Sequence, residues 1–190
     1  GACCGEEVKF DWMSPAYRRV LWAVIAINGL MFLVEMTAGF AAGSQALKAD
    51  ALDFFGDTVT YGLSLYVIGM PLLARARVAL VKGLSLAAMG LFVLGATLYR
   101  VVFTGMPEAE VMGAIGVLAL AANVASVLLL MQYRDGDANV RSVWLCSRND
   151  AIGNVAVLIA AGAVWLTASA WPDLIVAMGM AALFLNSSLQ

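Results

Sequence analysis

The 190 residues are 63% hydrophobic and only 13% charged, against roughly 25% charged in an ordinary soluble domain. A chain with a mean hydropathy of +0.89 cannot cover itself with polar surface, which excludes a soluble globular domain. The net charge of −2, with basic residues scattered at helix ends rather than gathered in a stripe, excludes nucleic acid as a partner.

A helix crosses the ~30 Å hydrocarbon layer with about 20 apolar residues, so a chain of this length holds six spans and little else. The expected fold is an all-α integral membrane domain of six transmembrane helices over residues 16–190, preceded by a polar N-terminal segment, 1–15. Three cysteines, two of them adjacent as Cys3 and Cys4, provide neither a disulfide framework nor a CxxC pair. The start at Gly1 points to a trimmed chain. The first apolar segment is longer than a signal h-region and lacks a small-residue cleavage site, so it reads as a retained helix.

In chain order, the first helix covers 17–42, nearly continuous apolar sequence broken by Asn28, Glu35 and Thr37. Gly43-Ser44-Gln45 is a turn with Ser44 as N-cap, and a second helix follows over 46–70, where Pro71 stops it. Arg75 and Arg77 mark a short loop before a third helix over 80–103. Gly105-Met106-Pro107 leads into a fourth helix over 110–133, and the polar run Arg134-Asp135-Gly136-Asp137 separates it from a fifth over 140–168. After Trp171-Pro172-Asp173 a sixth helix runs to the end.

Lys and Arg are retained on the cytoplasmic side of a membrane. Lys9, Arg18, Arg19, Arg75, Arg77, Lys82, Arg134, Arg141 and Arg148 fall at the N-terminal, 2–3 and 4–5 segments, against Lys48 and Arg100 on the opposite side. Both termini are therefore expected in the cytoplasm. Trp12, Trp144, Trp165 and Trp171 lie near expected helix ends, as interfacial anchors do.

An Asp at the centre of a membrane helix costs about 2.5–3.5 kcal/mol on insertion scales, so it faces a protein interior or a wet cavity. Asp53 and Asp57 stand i, i+4 on helix 2, with Asp50 three residues before Asp53 on the same face. Unpaired they would repel, and a divalent cation between them removes the repulsion. Helix 5 repeats the spacing with Cys146 and Asp150, and Asn149 and Asn154 lie nearby. At 1.5 Å per residue Asp57 lies roughly 17 Å from the outer end of helix 2, and Asp150 roughly 15 Å from the cytoplasmic end of helix 5. Antiparallel packing would bring them together near the midplane. Asp53, Asp57, Cys146 and Asp150 offer three oxygen ligands and one sulfur, which suits tetrahedral Zn²⁺ and also Cd²⁺, whereas Ca²⁺ takes more oxygens.

Plainer readings stand beside these. Asp50 is either a further ligand or a first-turn charge favoured by the helix dipole. Cys146 is a ligand or a small buried hydrophobe, and the acids could instead pair with Arg148 or Arg100. Glu35 reads as a structural hydrogen-bonding partner ahead of a cation-path residue. Cys3-Cys4 could capture a soft metal.

The run Val34-Glu35-Met36-Thr37-Ala38-Gly39, followed by Gly43-Ser44-Gln45-Ala46-Leu47-Lys48-Ala49-Asp50-Ala51-Leu52-Asp53-Phe54-Phe55-Gly56-Asp57, resembles the first two helices of cation diffusion facilitators. That family carries a VE…G…GS.ALLADA.H…D pattern, with Asp sometimes in place of His. Its [HD]-x-x-x-D on helix 5 corresponds to Cys146-x-x-x-Asp150. The resemblance implies a homodimer that exports Zn²⁺ and related ions from the cytoplasm in exchange for protons, most naturally in a bacterial inner membrane. The cation is cargo, with no resident cofactor. The chain departs from the pattern in having no histidine at all, in a short 2–3 loop, and in stopping at Gln190, so the family's cytoplasmic metal-binding domain is expected to be missing.

The mechanism expected is alternating access, in which the same four side chains bind metal when deprotonated and take up protons when it leaves. Two rival classes are an intramembrane aspartyl protease and a non-transporting membrane partner protein. Gly56-Asp57 matches part of the protease GxGD motif, but Phe54 occupies the first glycine position, and peptide hydrolysis gives no reason for Cys146 one turn from Asp150. A partner protein would not need three converging acids. The chain is expected not to be an enzyme.

Overall fold

A computed structural model describes residues 14–66, 72–103, 105–135 and 138–188. They form six helices: α1 Pro15–Ala41, α2 Gln45–Tyr66, α3 Leu72–Val102, α4 Ala109–Leu130, α5 Ala138–Thr167 and α6 Trp171–Ser188. A 3₁₀ turn at Met131–Tyr133 extends α4.

Local chemistry explains several of the helix ends. Ser14 caps α1, its Oγ accepting from the Tyr17 N–H at 3.1 Å, with Pro15 in the first turn where its missing N–H costs nothing. Gly43 ends the α1 turn at φ +68°, in the left-handed region that glycine enters freely. A Cβ there would also come within 2.7 Å of the Arg100 guanidinium. Ala168, at φ +47°, closes α5 in the same region, at a cost of roughly 1–2 kcal/mol for a residue with a side chain.

Two expected boundaries differ. Arg75 and Arg77 lie inside the first two turns of α3, not in a loop. At 1.5 Å per residue the 31 residues of α3 reach ~46 Å, long enough to carry its first turns past the hydrocarbon and into headgroups and water. Asp173, expected in the connection, belongs to the first turn of α6. The segments 1–13 and 67–71, with Cys3, Cys4 and the Pro71 stop, lie outside the described residues.

Helices α1, α2, α4 and α5 form a four-helix bundle. At one end Tyr17, Leu21, Val24 and Ile25 of α1 pack on Tyr61, Leu65, Leu130 and Val143. Midway Met31, Phe54 and Ala119 meet, and at the other end Ala46 and Leu47 pack on Met112, Val157, Ala161 and Val164. Helices α3 and α6 pair with each other and lean on α2 through Ala49, Met89, Val93, Ala177, Ala181 and Phe184.

The distribution of polarity is that of a membrane protein. Leu30, Leu33, Leu91, Leu128, Ile159 and Leu183 are exposed, while Asn28, Glu35, Asp50, Thr97, Asn123, Asn154 and Asp173 are buried. Among the described residues four helical segments, Pro15–Ala41, Gly83–Val102, Ala109–Tyr133 and Val143–Thr167, are long and apolar enough to cross a bilayer by length and composition alone. Helix α2 spends its apolarity on Lys48, Asp50, Asp53 and Asp57, which face protein and not lipid, and α6 is only 18 residues long.

Candidate metal site

Helices α2 and α5 carry the four side chains singled out by the sequence, all of them half-buried. Asp53 and Asp57 lie on successive turns of one face of α2, and Cys146 and Asp150 do the same on α5. The structure brings the two pairs together. The Asp150 carboxyl meets those of Asp53 and Asp57, and Cys146 is its neighbour one turn away. Asp150 Oδ2 is buried with no hydrogen-bond donor, an arrangement that a proton or a cation would relieve.

The four are assembled without being drawn into a single coordination shell. Among the described residues no three His, Cys, Asp or Glu side chains stand at distances that hold one ion. Carboxylates brought to one point repel unless a proton or cation lies between them.

The plainer pairings are not realised. Arg148 donates to Asn149 Oδ1 at 3.3 Å and lies over the Trp144 ring, and Arg100 reaches the Gly105 carbonyl at 3.4 Å. Neither basic group neutralises the acids.

Three further residues stand at the site: Tyr61, which the sequence did not single out, and Asp50 and Asn154, which it had placed near it. Tyr61, one turn beyond Asp57, is 1% exposed and donates its hydroxyl to Asp57 Oδ2 at 2.5 Å. An aromatic in an apolar helix gives no sign in the sequence that its hydroxyl meets an acid. Asp50 is not a first-turn charge at the surface: it lies in the second turn of α2, 1% exposed, facing Glu35 of α1. Both Glu35 oxygens and Asp50 Oδ2 are buried without donors. Acids thus run from Glu35 and Asp50 through Asp53 to Asp150 and Asp57. Asn154, on the same face of α5 one turn past Asp150, is fully buried with both amide atoms unpaired.

A helical bundle that shows apolar side chains to lipid and turns carboxylates from two helices against each other is a membrane domain built around intramembrane acids, the arrangement of cation pathways. The profile of the cation efflux transmembrane domain matches residues 75–190. The chain belongs to the cation efflux, or cation diffusion facilitator, family, which is one of transporters and not of enzymes. It is 30% identical over 157 residues to the zinc transporter ZitB of Escherichia coli, covering 76% of this chain and 50% of that protein. It is 24% identical over 172 residues to the metal cation efflux system protein CzcD of Cupriavidus metallidurans, covering 84% and 54% respectively. A cadmium, cobalt and zinc/H(+)-K(+) antiporter of Bacillus velezensis is 23% identical over 184 residues, covering 88% and 58%. The chain spans about half the length of these curated relatives. With bacterial transporters as relatives and helices as its spans, it is an integral inner-membrane protein.

Proposed function

We propose that this domain moves a divalent metal cation, Zn²⁺ first and Cd²⁺, Co²⁺ or Fe²⁺ next, out of the cytoplasm in exchange for protons, with Asp53, Asp57, Cys146 and Asp150 as its ligands. The observation that carries this reading is the meeting of Asp150 on α5 with Asp53 and Asp57 on α2, in a chain whose relatives bear the names of zinc, cadmium and cobalt transporters. Three carboxylates and a thiol must lose protons to bind metal. The cation therefore releases protons as it arrives, and protons from the far side displace it. Thiolate beside carboxylates suits Zn²⁺ and the softer Cd²⁺ better than Mg²⁺ or Ca²⁺.

The asymmetry of Lys and Arg supports an orientation with both termini in the cytoplasm. The polar segment 1–15 then lies in the cytoplasm and 16–190 forms the transport domain, acting as a homodimer. Metal and proton fluxes in proteoliposomes test the proposal. An imposed proton gradient should drive Zn²⁺ uptake, and added Zn²⁺ should drive proton counterflow. Asp57→Ala should abolish both, and Zn²⁺ uptake by Asp57→Ala at the unmodified rate would remove the site from the pathway.

A further inference from the structure

We infer that Asp173 is a positioning residue for the cation site: from the first turn of α6 it fixes the start of α2, and with it the depth and rotation at which α2 presents Asp53 and Asp57 to α5. The inference rests on the proposed site.

The first N–H groups of a helix have no partner within it. At α2 they are met from outside the helix. Ser44 Oγ accepts from the Leu47 N–H at 3.0 Å, the ordinary N-cap bond. Asp173 takes the next two, Oδ2 accepting from the Gln45 N–H at 2.8 Å and Oδ1 from the Ala46 N–H at 3.0 Å. The Ser44 hydroxyl then donates to Asp173 Oδ1 at 2.6 Å. All five residues are buried, and the carboxylate lies at the N-terminal ends of both α2 and α6, where the helix dipoles favour negative charge.

What this joint controls follows from what surrounds it. Elsewhere α6 meets α2 through apolar residues alone, Ala49 and Leu52 in one cluster with Ala177, Ala181 and Phe184, a contact without directional bonds. The three bonds to Asp173 are directional and buried, so they add to the packing of α2 a fixed axial position at its start. Around them Gly43 admits the Arg100 guanidinium. The Gln45 amide, turned with its oxygen toward the two cations, accepts from Arg100 Nε at 3.2 Å and Lys48 Nζ at 3.0 Å. The Glu108 N–H donates to the Ala42 carbonyl at 3.0 Å. The starts of α2, α4 and α6 and the ends of α1 and α3 thus meet around a buried carboxylate. Asp53 lies ~12 Å and Asp57 ~18 Å along α2 from it, so Asp173 acts on the site through the helix and touches no cation. A slip of one residue would turn both acids by ~100° about the helix axis.

The test measures Zn²⁺ transport by the full chain in proteoliposomes for Asp173→Ala, Asp173→Asn, Ser44→Ala and the Ser44→Ala/Asp173→Ala pair, alongside Asp57→Ala. Asp173→Ala should raise the KM for Zn²⁺ about tenfold, in the range seen when groups that orient metal ligands are removed, while helicity and monodispersity persist. Asp173→Asn, which keeps one acceptor, should lose less. The double variant should be no worse than Asp173→Ala alone, since both side chains belong to one cap. An unchanged KM in Asp173→Ala, whatever its thermal stability, overturns the positioning role. If Asp173→Ala does not fold, unchanged KM in both Asp173→Asn and Ser44→Ala overturns it equally. Loss of transport in Asp57→Ala with normal KM in the Asp173 variants defeats this inference alone, whereas normal transport in Asp57→Ala defeats the site itself and the inference with it.

Discussion

Tyr61 holds Asp57 by a hydrogen bond of 2.5 Å from its hydroxyl to Oδ2, while its ring packs with Leu21, Ile25 and Leu130. One side chain therefore anchors an apolar cluster and orients a carboxylate of the candidate site.

Tyr61→Phe should preserve the ring packing and remove the donor. Equilibrium binding should show Zn²⁺ affinity falling about tenfold, as when a group orienting a metal ligand is lost, with the thermal midpoint little changed. Affinity equal to that of the unmodified chain would mean the hydroxyl satisfies itself on Asp57 without orienting it.

Cys146 tests the metal preference. It packs against the cluster around Tyr61 and Leu130 and also neighbours Asp150, so packing and ligation make different forecasts. Thiolate is soft and carboxylate hard, so Cys146→Asp should lose Cd²⁺ relative to Mn²⁺ or Co²⁺, and Cys146→His should favour Zn²⁺. Thermal stabilisation across Zn²⁺, Cd²⁺, Co²⁺, Mn²⁺ and Mg²⁺ reads the ranking. An ordinary thiol titrates near 8.5 and an ordinary aspartate near 3.9, so at position 146 metal has more proton to displace from the thiol than from a carboxyl put in its place. Cd²⁺ affinity should accordingly fall more steeply with acidification between about pH 8 and 6 in the unmodified chain than in Cys146→Asp. A Cys146→Ser variant with the same metal ranking and pH slope would make Cys146 a packing residue.

Gly90 marks a close approach of α3 to α6: a Cβ there would stand 2.8 Å from Leu185 Cγ and 3.2 Å from the Ala181 carbonyl oxygen. Gly90→Val should therefore force the two helices apart, at a cost of about 1–3 kcal/mol. Thermal unfolding in detergent should show a lowered midpoint, and an unchanged one would mean the pair has slack.

Orientation has its own test. With both termini inside, single cysteines at Gly105 and Ala170 should react with an impermeant thiol reagent from outside, and one at Gly136 from inside. Labelling of Gly105 and Gly136 from the same side would overturn the six-span arrangement.

The sequence displayed what is local and hid what comes from a distant helix. Gly43 and Ser44 announced the end of α1 and the cap of α2 because a left-handed turn and an N-cap each favour few residue types. Asp53, Asp57 and Asp150 stood out because carboxylates in apolar helices are costly. Arg75 and Arg77 misled, since the long first turns of α3 keep a helix where polar sequence alone reads as a loop. Asp50 stayed open between a ligand and a first-turn charge because nothing local shows that Glu35 of α1 faces it. Asp173 and Tyr61 gave no signal: a carboxylate that caps a helix 127 residues away in sequence and a phenol that meets an acid are consequences of the tertiary fold.

The central claim is that α2 and α5 share one ion. Zn²⁺ titration of the detergent-solubilised chain, by calorimetry or competition with a zinc dye, tests it most directly with Asp57→Ala and Asp150→Ala beside the unmodified protein. The account predicts one tightly bound ion per chain in this domain, lost in both variants while each keeps its helicity. An Asp150→Ala variant that binds Zn²⁺ as tightly as the unmodified chain would contradict it, because α5 would then take no part in holding the ion.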